Sequence, residues 1–382
     1  MTTLKCDSVN LSTVHSWLQR QSISAESGST VVTYTHDLGH SPVLWLVHGY
    51  PQSAFIFRHV SIQKSKQFLC LPFALSVQFI PVKNLVPNPF KKCCVVLTVH
   101  CMSFNHVCCA HSLQLAPILK DKISLFVPEM PGYGISTSPD NASGFRAIGA
   151  SLIQAFQKLF PNRAVILGGH DRGARLCHRL AVDNTHPPSS SPGAPFHLLG
   201  IMLLDIVPTL RQWEVFAKPE ASTAYFHWPF LASPLATDMI DAYGGDKWTH
   251  SALERIAGSS EAGLKRFKAN DAWEVYESLF SKRETIEGSC RDYHAGCYEE
   301  PAMQTKDQEE GRKLGVPVLV MWSLARLGKM HGDVGAIWKD WVKDQAKLKV
   351  VGCGNDVGHY LPEEATDIVS EHLVRFIQDV TK

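Results

Sequence analysis

The chain carries almost no net charge: 37 Lys+Arg stand against 36 Asp+Glu, leaving +1 over 382 residues. Without a broad basic field, neither nucleic acid nor an acidic membrane surface is an expected partner. There is no uninterrupted apolar run of the roughly 18 residues that a membrane span needs, and the N-terminus lacks the basic-then-apolar layout of a secretion signal. A cytoplasmic, soluble protein is expected, and its 11 Cys then read as reduced thiols rather than a disulfide framework. No Cys-x-x-Cys pair and no His-Glu-x-x-His occurs, so no metal is expected. Internal repeats are absent, and the final Val380-Thr-Lys382 is not a peroxisomal address. What remains, at 45% apolar and 19% charged residues, is ample material for a globular core.

One absence is local. Residues 61–115 contain no Asp, Glu, Arg or Gly, yet hold Cys70, Cys93, Cys94, Cys101, Cys108 and Cys109. Their apolar runs are broken by Pro72, Pro81, Pro87 and Pro89 and show neither a helical nor a strand period. The stretch reads as an anomalous insertion, with intron-derived sequence or a regulatory insertion as its origin.

Elsewhere short apolar runs alternate with amphipathic stretches. The runs at 43–49, 123–129, 164–171, 198–207, 316–323 and 347–354 read as buried parallel strands, and 144–160, 174–184 and 364–380 as helices between them. From about 209 to 300 the rhythm gives way to aromatic-rich, helix-like sequence. The expected fold class is therefore α/β, a mostly parallel sheet covered by helices on both faces, in three parts. Residues 1–208 and 301–382 form the core and 209–300 a helical lid inserted after the strand ending at Asp205.

The chemistry-bearing stretch is Ala164-Val-Ile-Leu-Gly-Gly-His-Asp-Arg-Gly-Ala-Arg175, a strand, then Gly-x-Asp-x-Gly, then a helix. A side chain presented on so sharp a turn needs small residues two positions to either side, which Gly169 and Gly173 supply. This resembles the nucleophile elbow of the α/β-hydrolase family, with Asp171 where esterases place Ser. The resemblance implies that the carboxylate attacks carbon to form an alkyl-enzyme ester, which water then hydrolyses. His48-Gly49-Tyr50-Pro51 is similar to the family's HGxP turn, so the backbone N–H groups of Tyr50 and Arg172 would form the oxyanion hole. Val127-Pro-Glu-Met-Pro-Gly-Tyr-Gly134 resembles a further family segment. In Asp356-Val-Gly-His-Tyr-Leu-Pro-Glu363, His359 is the expected base. The resemblance implies an orienting acid after the penultimate strand, where the run ending Val320-Met-Trp-Ser323 holds none, or, as in a subset of the family, one strand earlier, so Asp205 is expected, with Asp333 as the fallback.

The pattern resembles haloacetate (fluoroacetate) dehalogenases in particular, over nearly the whole chain except 61–115. That likeness implies that Arg172 and Arg175 bind the substrate carboxylate, and that His227, Trp228 and Tyr293 hold the departing halide, with Trp248 as a further pocket wall. The implied function is a cofactor-free hydrolase cleaving the carbon–halogen bond of a small 2-haloacid, its partners that substrate and water, with room for a homodimer. The alternative within the same machinery is an epoxide hydrolase using Tyr225 and Tyr293. The alternative from another class is a non-catalytic binding protein or a defective gene product, motivated by 61–115. An exposed apolar, Cys-rich segment promotes aggregation and thiol oxidation. Deleting 61–115 should therefore raise soluble yield and thermal stability while keeping Asp171, Asp205 and His359 in register. A deletion variant that fails to fold would make the segment part of the domain.

Overall fold

Strands that are apolar on both sides require helices over both faces of their sheet. The computed structural model, which describes residues 9–40, 42–59, 119–139, 143–187 and 195–382, meets that requirement. Among the described residues a sheet of eight strands runs in the order β1-β2-β4-β3-β5-β6-β7-β8. The strands are β1 (Gln19–Ser24), β2 (Thr30–His36), β3 (Val43–Val47), β4 (Ser124–Pro128), β5 (Ala164–His170), β6 (His197–Leu204), β7 (Val318–Ser323) and β8 (Leu348–Cys353). β3 to β8 pair in parallel, at the six places expected from the apolar runs. This is the α/β-hydrolase arrangement.

β1 and β2 are antiparallel additions that the sequence reading missed. Gln19-Arg-Gln-Ser-Ile-Ser24 has one apolar residue and is largely exposed, as an edge strand with one wet face can be. β8 corrects another expectation. It is the opposite edge, and Lys349 and Val350 are exposed rather than buried on both faces.

The two faces separate with a period of two. Val43, Trp45 and Val47 enter one apolar cluster together with Phe145, Leu152 and Phe156 of α1 (Gly144–Leu159) and Leu176 and Leu180 of α2 (Arg172–Thr185). Leu44 and Leu46 enter the other, with Phe55, Leu119 and the face of α6 (Thr366–Val380) that carries Val369, Leu373 and Phe376. Trp45 anchors the first, stacked on Phe156 with ring centroids 5.1 Å apart. The expectations for residues 61–115, including their irregularity, lie outside the described residues.

Between β6 and β7 the described elements are helices only, among them α3 (His227–Leu231), α4 (Gly245–Ile256) and α5 (Arg283–Glu309). The boundary drawn at 300 falls inside α5, which continues through Pro301 to Glu309. Among the described residues no helix is long and apolar enough to cross a membrane.

Sheet register decides where the functional residues meet. Val47 pairs with Gly169, His170 with Leu204, and Leu204 with Met321, so the carboxyl ends of β3, β5, β6 and β7 lie side by side. The Asp171 amide donates to the Leu204 carbonyl at 3.2 Å, and the Asp205 amide to the Met321 carbonyl at 2.8 Å. Each acid thus begins where its strand stops, at the edge of a parallel sheet where ligand sites form.

Candidate active site

Asp171 sits at φ 51°, ψ −121°, a conformation that L-residues rarely adopt, between the end of β5 and the start of α2. The glycines around it are required by close approach. A Cβ on Gly173 would stand 2.2 Å from the His48 carbonyl oxygen, and one on Gly49 would stand 2.5 Å from the Asp171 Cβ. The turn is therefore wedged between β3 and α2. It aims the carboxylate at the Tyr50 amide, which donates to Oδ1 at 2.9 Å.

His359 follows β8 and faces both acids. Its Nδ1 lies 2.6 Å from Asp205 Oδ2 and its Nε2 3.7 Å from Asp171 Oδ2. The other Asp205 oxygen accepts the Ser323 amide at 2.7 Å. The end of β7, which carries no acid, thus holds the acid of its neighbour. Asp333, the fallback, is exposed and caps the helix Val334–Lys339 by accepting the Ala336 amide at 2.9 Å.

Burial alone would raise Asp171, but the imidazoles of His359 and His170, the Tyr50 amide and Arg175 outweigh it and leave its pKa lowered. A lowered carboxyl is a ready anion. Burial alone would lower His359, yet the hydrogen bond and charge of Asp205, with the charge of Asp171, raise it. Asp205 itself is raised by burial despite its bonds to His359 and Ser323. Supporting contacts pin the histidine loop. Glu364 accepts the Gly358 and Tyr360 amides at 2.8 and 3.1 Å, and His170 Nε2 meets the His359 carbonyl at 2.8 Å. Burial, with the nearby His359, pushes His170 down to about 3, so this imidazole is neutral and donates to that carbonyl. The sequence reading passed over His170, though its place beside Asp171 was a signal.

The two arginines part company, which corrects the expectation of a joint carboxylate grip. Arg172, fully buried, forms a bidentate pair with Asp292 at 2.7 Å and reaches Glu300 at 2.8 Å, both on α5. Its side chain is committed to two buried carboxylates and is not among those lining the cavity over Asp171. Arg175 does line it, donates to the Val207 carbonyl at 2.7 Å and stacks its guanidinium 4.5 Å from the Trp228 ring centre. Its Nε has no hydrogen-bond partner, and among the described residues no carboxylate forms an ion pair with it. Burial, with the neighbouring charge of Arg172, pushes its pKa down to about 10, and the charges of Asp171 and Glu300 offset this only in part.

The cavity measures about 430 Å³ and is walled by Asp171, Arg175, Asp205, His359, His227 and Trp228, among others. His227 is pushed down to about 3 by burial and by Arg255. With Nδ1 facing the Arg255 guanidinium at 3.3 Å, the proton of this neutral ring belongs on Nε2. The Tyr293 ring lies 5.7 Å from Trp228 and 6.2 Å from His227, and its buried hydroxyl has no partner among the described residues. Tyr225 also lines the cavity. Trp248 reaches the site through Tyr50, whose hydroxyl accepts its indole N–H. Arg255 and Arg326 face the same cavity, and no sequence motif marked them.

Fold and comparisons agree that the chain is a hydrolase of the α/β-hydrolase fold, resembling dehalogenases and epoxide hydrolases. No family model matches it. It is 28% identical to a fluoroacetate dehalogenase of Burkholderia sp. over 274 residues, spanning 70% of this chain and 82% of that protein. It is 22% identical to a soluble epoxide hydrolase of Corynebacterium sp. (strain C12) over 278 residues, 69% of this chain and 84% of that one. Among solved structures, a Pseudomonas aeruginosa protein assigned provisionally as an epoxide hydrolase superposes with a TM-score of 0.69 at 23% identity, covering 95% of this chain and 97% of its own.

Asp205→Asn removes the charge, and one of the two acceptor oxygens, that hold His359 up. Its imidazole should then titrate at lower pH, read by proton NMR. An unchanged midpoint would remove Asp205 as the orienting acid.

Proposed function

We propose that the protein hydrolyses the carbon–halogen bond of 2-haloacids through an ester on Asp171. The observation that carries this reading is Arg175, a buried guanidinium without a carboxylate partner among the described residues, beside an ionised carboxylate in one cavity. A substrate carboxylate supplies the missing counter-charge, and two N–H donors of the guanidinium match its two oxygens.

Docked there, the substrate presents its halogen-bearing carbon to Asp171. Oδ1 is held by Tyr50, so Oδ2 attacks, the new C–O bond forms as the carbon–halogen bond breaks, and its electron pair leaves on the halide. The N–H of His227, the indole of Trp228 and the hydroxyl of Tyr293 donate to that anion, which matters most for a small, strongly hydrated fluoride. His359 then takes a proton from water through Nε2, and hydroxide adds to the Asp171 carbonyl carbon. The oxyanion forms on Oδ1, facing the Tyr50 amide and the Arg172 amide that opens α2. Collapse expels the 2-hydroxy acid, protonated by the imidazolium, and Asp171 sheds the remaining proton to solvent. The helices between β6 and β7 act as the cap in this scheme, since they contribute His227, Trp228 and Tyr293.

The epoxide-hydrolase reading has one observation in its favour, the Tyr293 hydroxyl, unpartnered among the described residues, and cavity-lining Tyr225, whose rings both lie against His227 and which are together able to protonate a ring oxygen. A neutral epoxide, however, adds no charge to the part of Arg175's burial that Asp171 and Glu300 leave unbalanced.

Single-turnover hydrolysis of a haloacetate in heavy-oxygen water should place label in the peptide containing Asp171, and His359→Ala should accumulate the ester. Label found in product alone would reject the covalent route. Charge-assisted bonds contribute about 1.5–3 kcal/mol each, so Arg175→Met should lower kcat/KM for haloacetate about ten- to hundredfold while leaving haloacetamide little changed. Wild-type turnover of a neutral epoxide, with haloacetate unaffected by Arg175→Met, would decide for the epoxide hydrolase.

A further inference from the structure

The cavity over Asp171 exceeds what a haloacetate fills. Its volume of about 430 Å³ falls within the roughly 300–1,000 Å³ that encloses drug-sized ligands. One methylene carbon, one halogen and a carboxylate occupy a small part of that. The walls of the remainder are cationic. Arg255 on α4 and Arg326 just beyond β7 both line it, and among the described residues neither forms an ion pair with a carboxylate. Arg255 donates to the Ala224 carbonyl at 2.7 Å and lies 3.3 Å from His227 Nδ1, while Arg326 donates to the Ala257 carbonyl at 2.8 Å. A guanidinium carries five N–H donors, so each keeps several for a ligand.

The two approach from different elements to either side of Ile256, whose carbonyl accepts the His359 amide at 3.0 Å. They are therefore anchored to the same loop that places the catalytic histidine. Burial lowers the pKa of half-buried Arg255, and the neighbouring charge of Arg326 lowers it further. Two like charges held together at a cavity wall are destabilising until an anion joins them. The acid lining this region, Glu220, is exposed and forms no ion pair with either arginine.

We infer that Arg255 and Arg326 form a second anion subsite, so that the substrate is a haloacid bearing a second carboxylate, its reacting end on Arg175 and its far end on this pair. The inference rests on the role given above to Arg175 and Asp171.

Calorimetry on the full chain tests it, comparing succinate, glutarate and adipate with butanoate, pentanoate and hexanoate. At least one diacid should bind about tenfold or more tightly than the monoacid of equal length. Arg326→Gln should erase most of that ratio, and Arg326→Lys should retain part of it. If Arg326→Gln fails to fold, the wild-type ratio decides. Equal binding of diacids and monoacids, or a ratio that survives Arg326→Gln, overturns the subsite. Halide release from chloroacetate and 2-chloroglutarate separates the two claims. A diacid preference without halide release leaves the subsite standing and rejects dehalogenation, whereas chloroacetate turnover without a diacid preference does the reverse.

Discussion

The turn at Asp171 is the constraint around which the rest of the site is arranged. A backbone at φ 51°, ψ −121° costs roughly 1–3 kcal/mol and persists only where its surroundings leave no alternative. Here β5 lies between β3 and β6, the His48 carbonyl closes on Gly173, and Gly49 passes directly beneath the Asp171 side chain. Relaxing the turn would push the start of α2 into the end of β3. Asp205 repeats the device one strand over, at φ 54°, with its amide tied to β7. Two acids are thus held by backbone rather than by side-chain rotamers, and His359 has only to reach between them.

Electrostatics then assigns different work to groups of the same type. Asp171 and Asp205 are both buried, but Asp171 is surrounded by donors and cations and stays an anion, whereas burial dominates at Asp205. Arg172 and Arg175 are one turn apart on α2, and the difference between them comes from α5. Asp292 and Glu300 meet Arg172 there, buried contacts that tie α5 to the elbow. Breaking such a pair from one side is costly, so Arg172 is not free to move to a ligand. Arg175 meets backbone carbonyl and the Trp228 face instead, and its charge remains available to whatever enters the cavity.

The sequence by itself determined the parts whose physics is local. Apolar runs marked the six parallel strands, because burial on both faces leaves no polar period in β3 to β7, and β8 was marked by its apolar run although it lies at the edge. Gly169, Gly173 and the acid between them marked the elbow, because a sharp strand-to-helix turn has a steric demand readable over five residues. Gly358-His359 before Pro362 and Glu364 marked the histidine loop by its likeness to the family's pattern, and Glu364 accepts the amides on either side of His359.

Only tertiary structure decided the partnerships. The bond from His359 to Asp205 spans 154 residues of sequence and that from Arg172 to Asp292 spans 120, and register and helix packing, not composition, bring them together. For that reason the sequence treated Arg172 and Arg175 as equals, kept Asp333 in reserve, and contained no mark of Arg255 or Arg326. The edge strand β1 was hidden for a related cause. β1 is held by backbone hydrogen bonds to β2 with one buried side chain to show for it, and backbone bonding leaves no signature in the order of side chains.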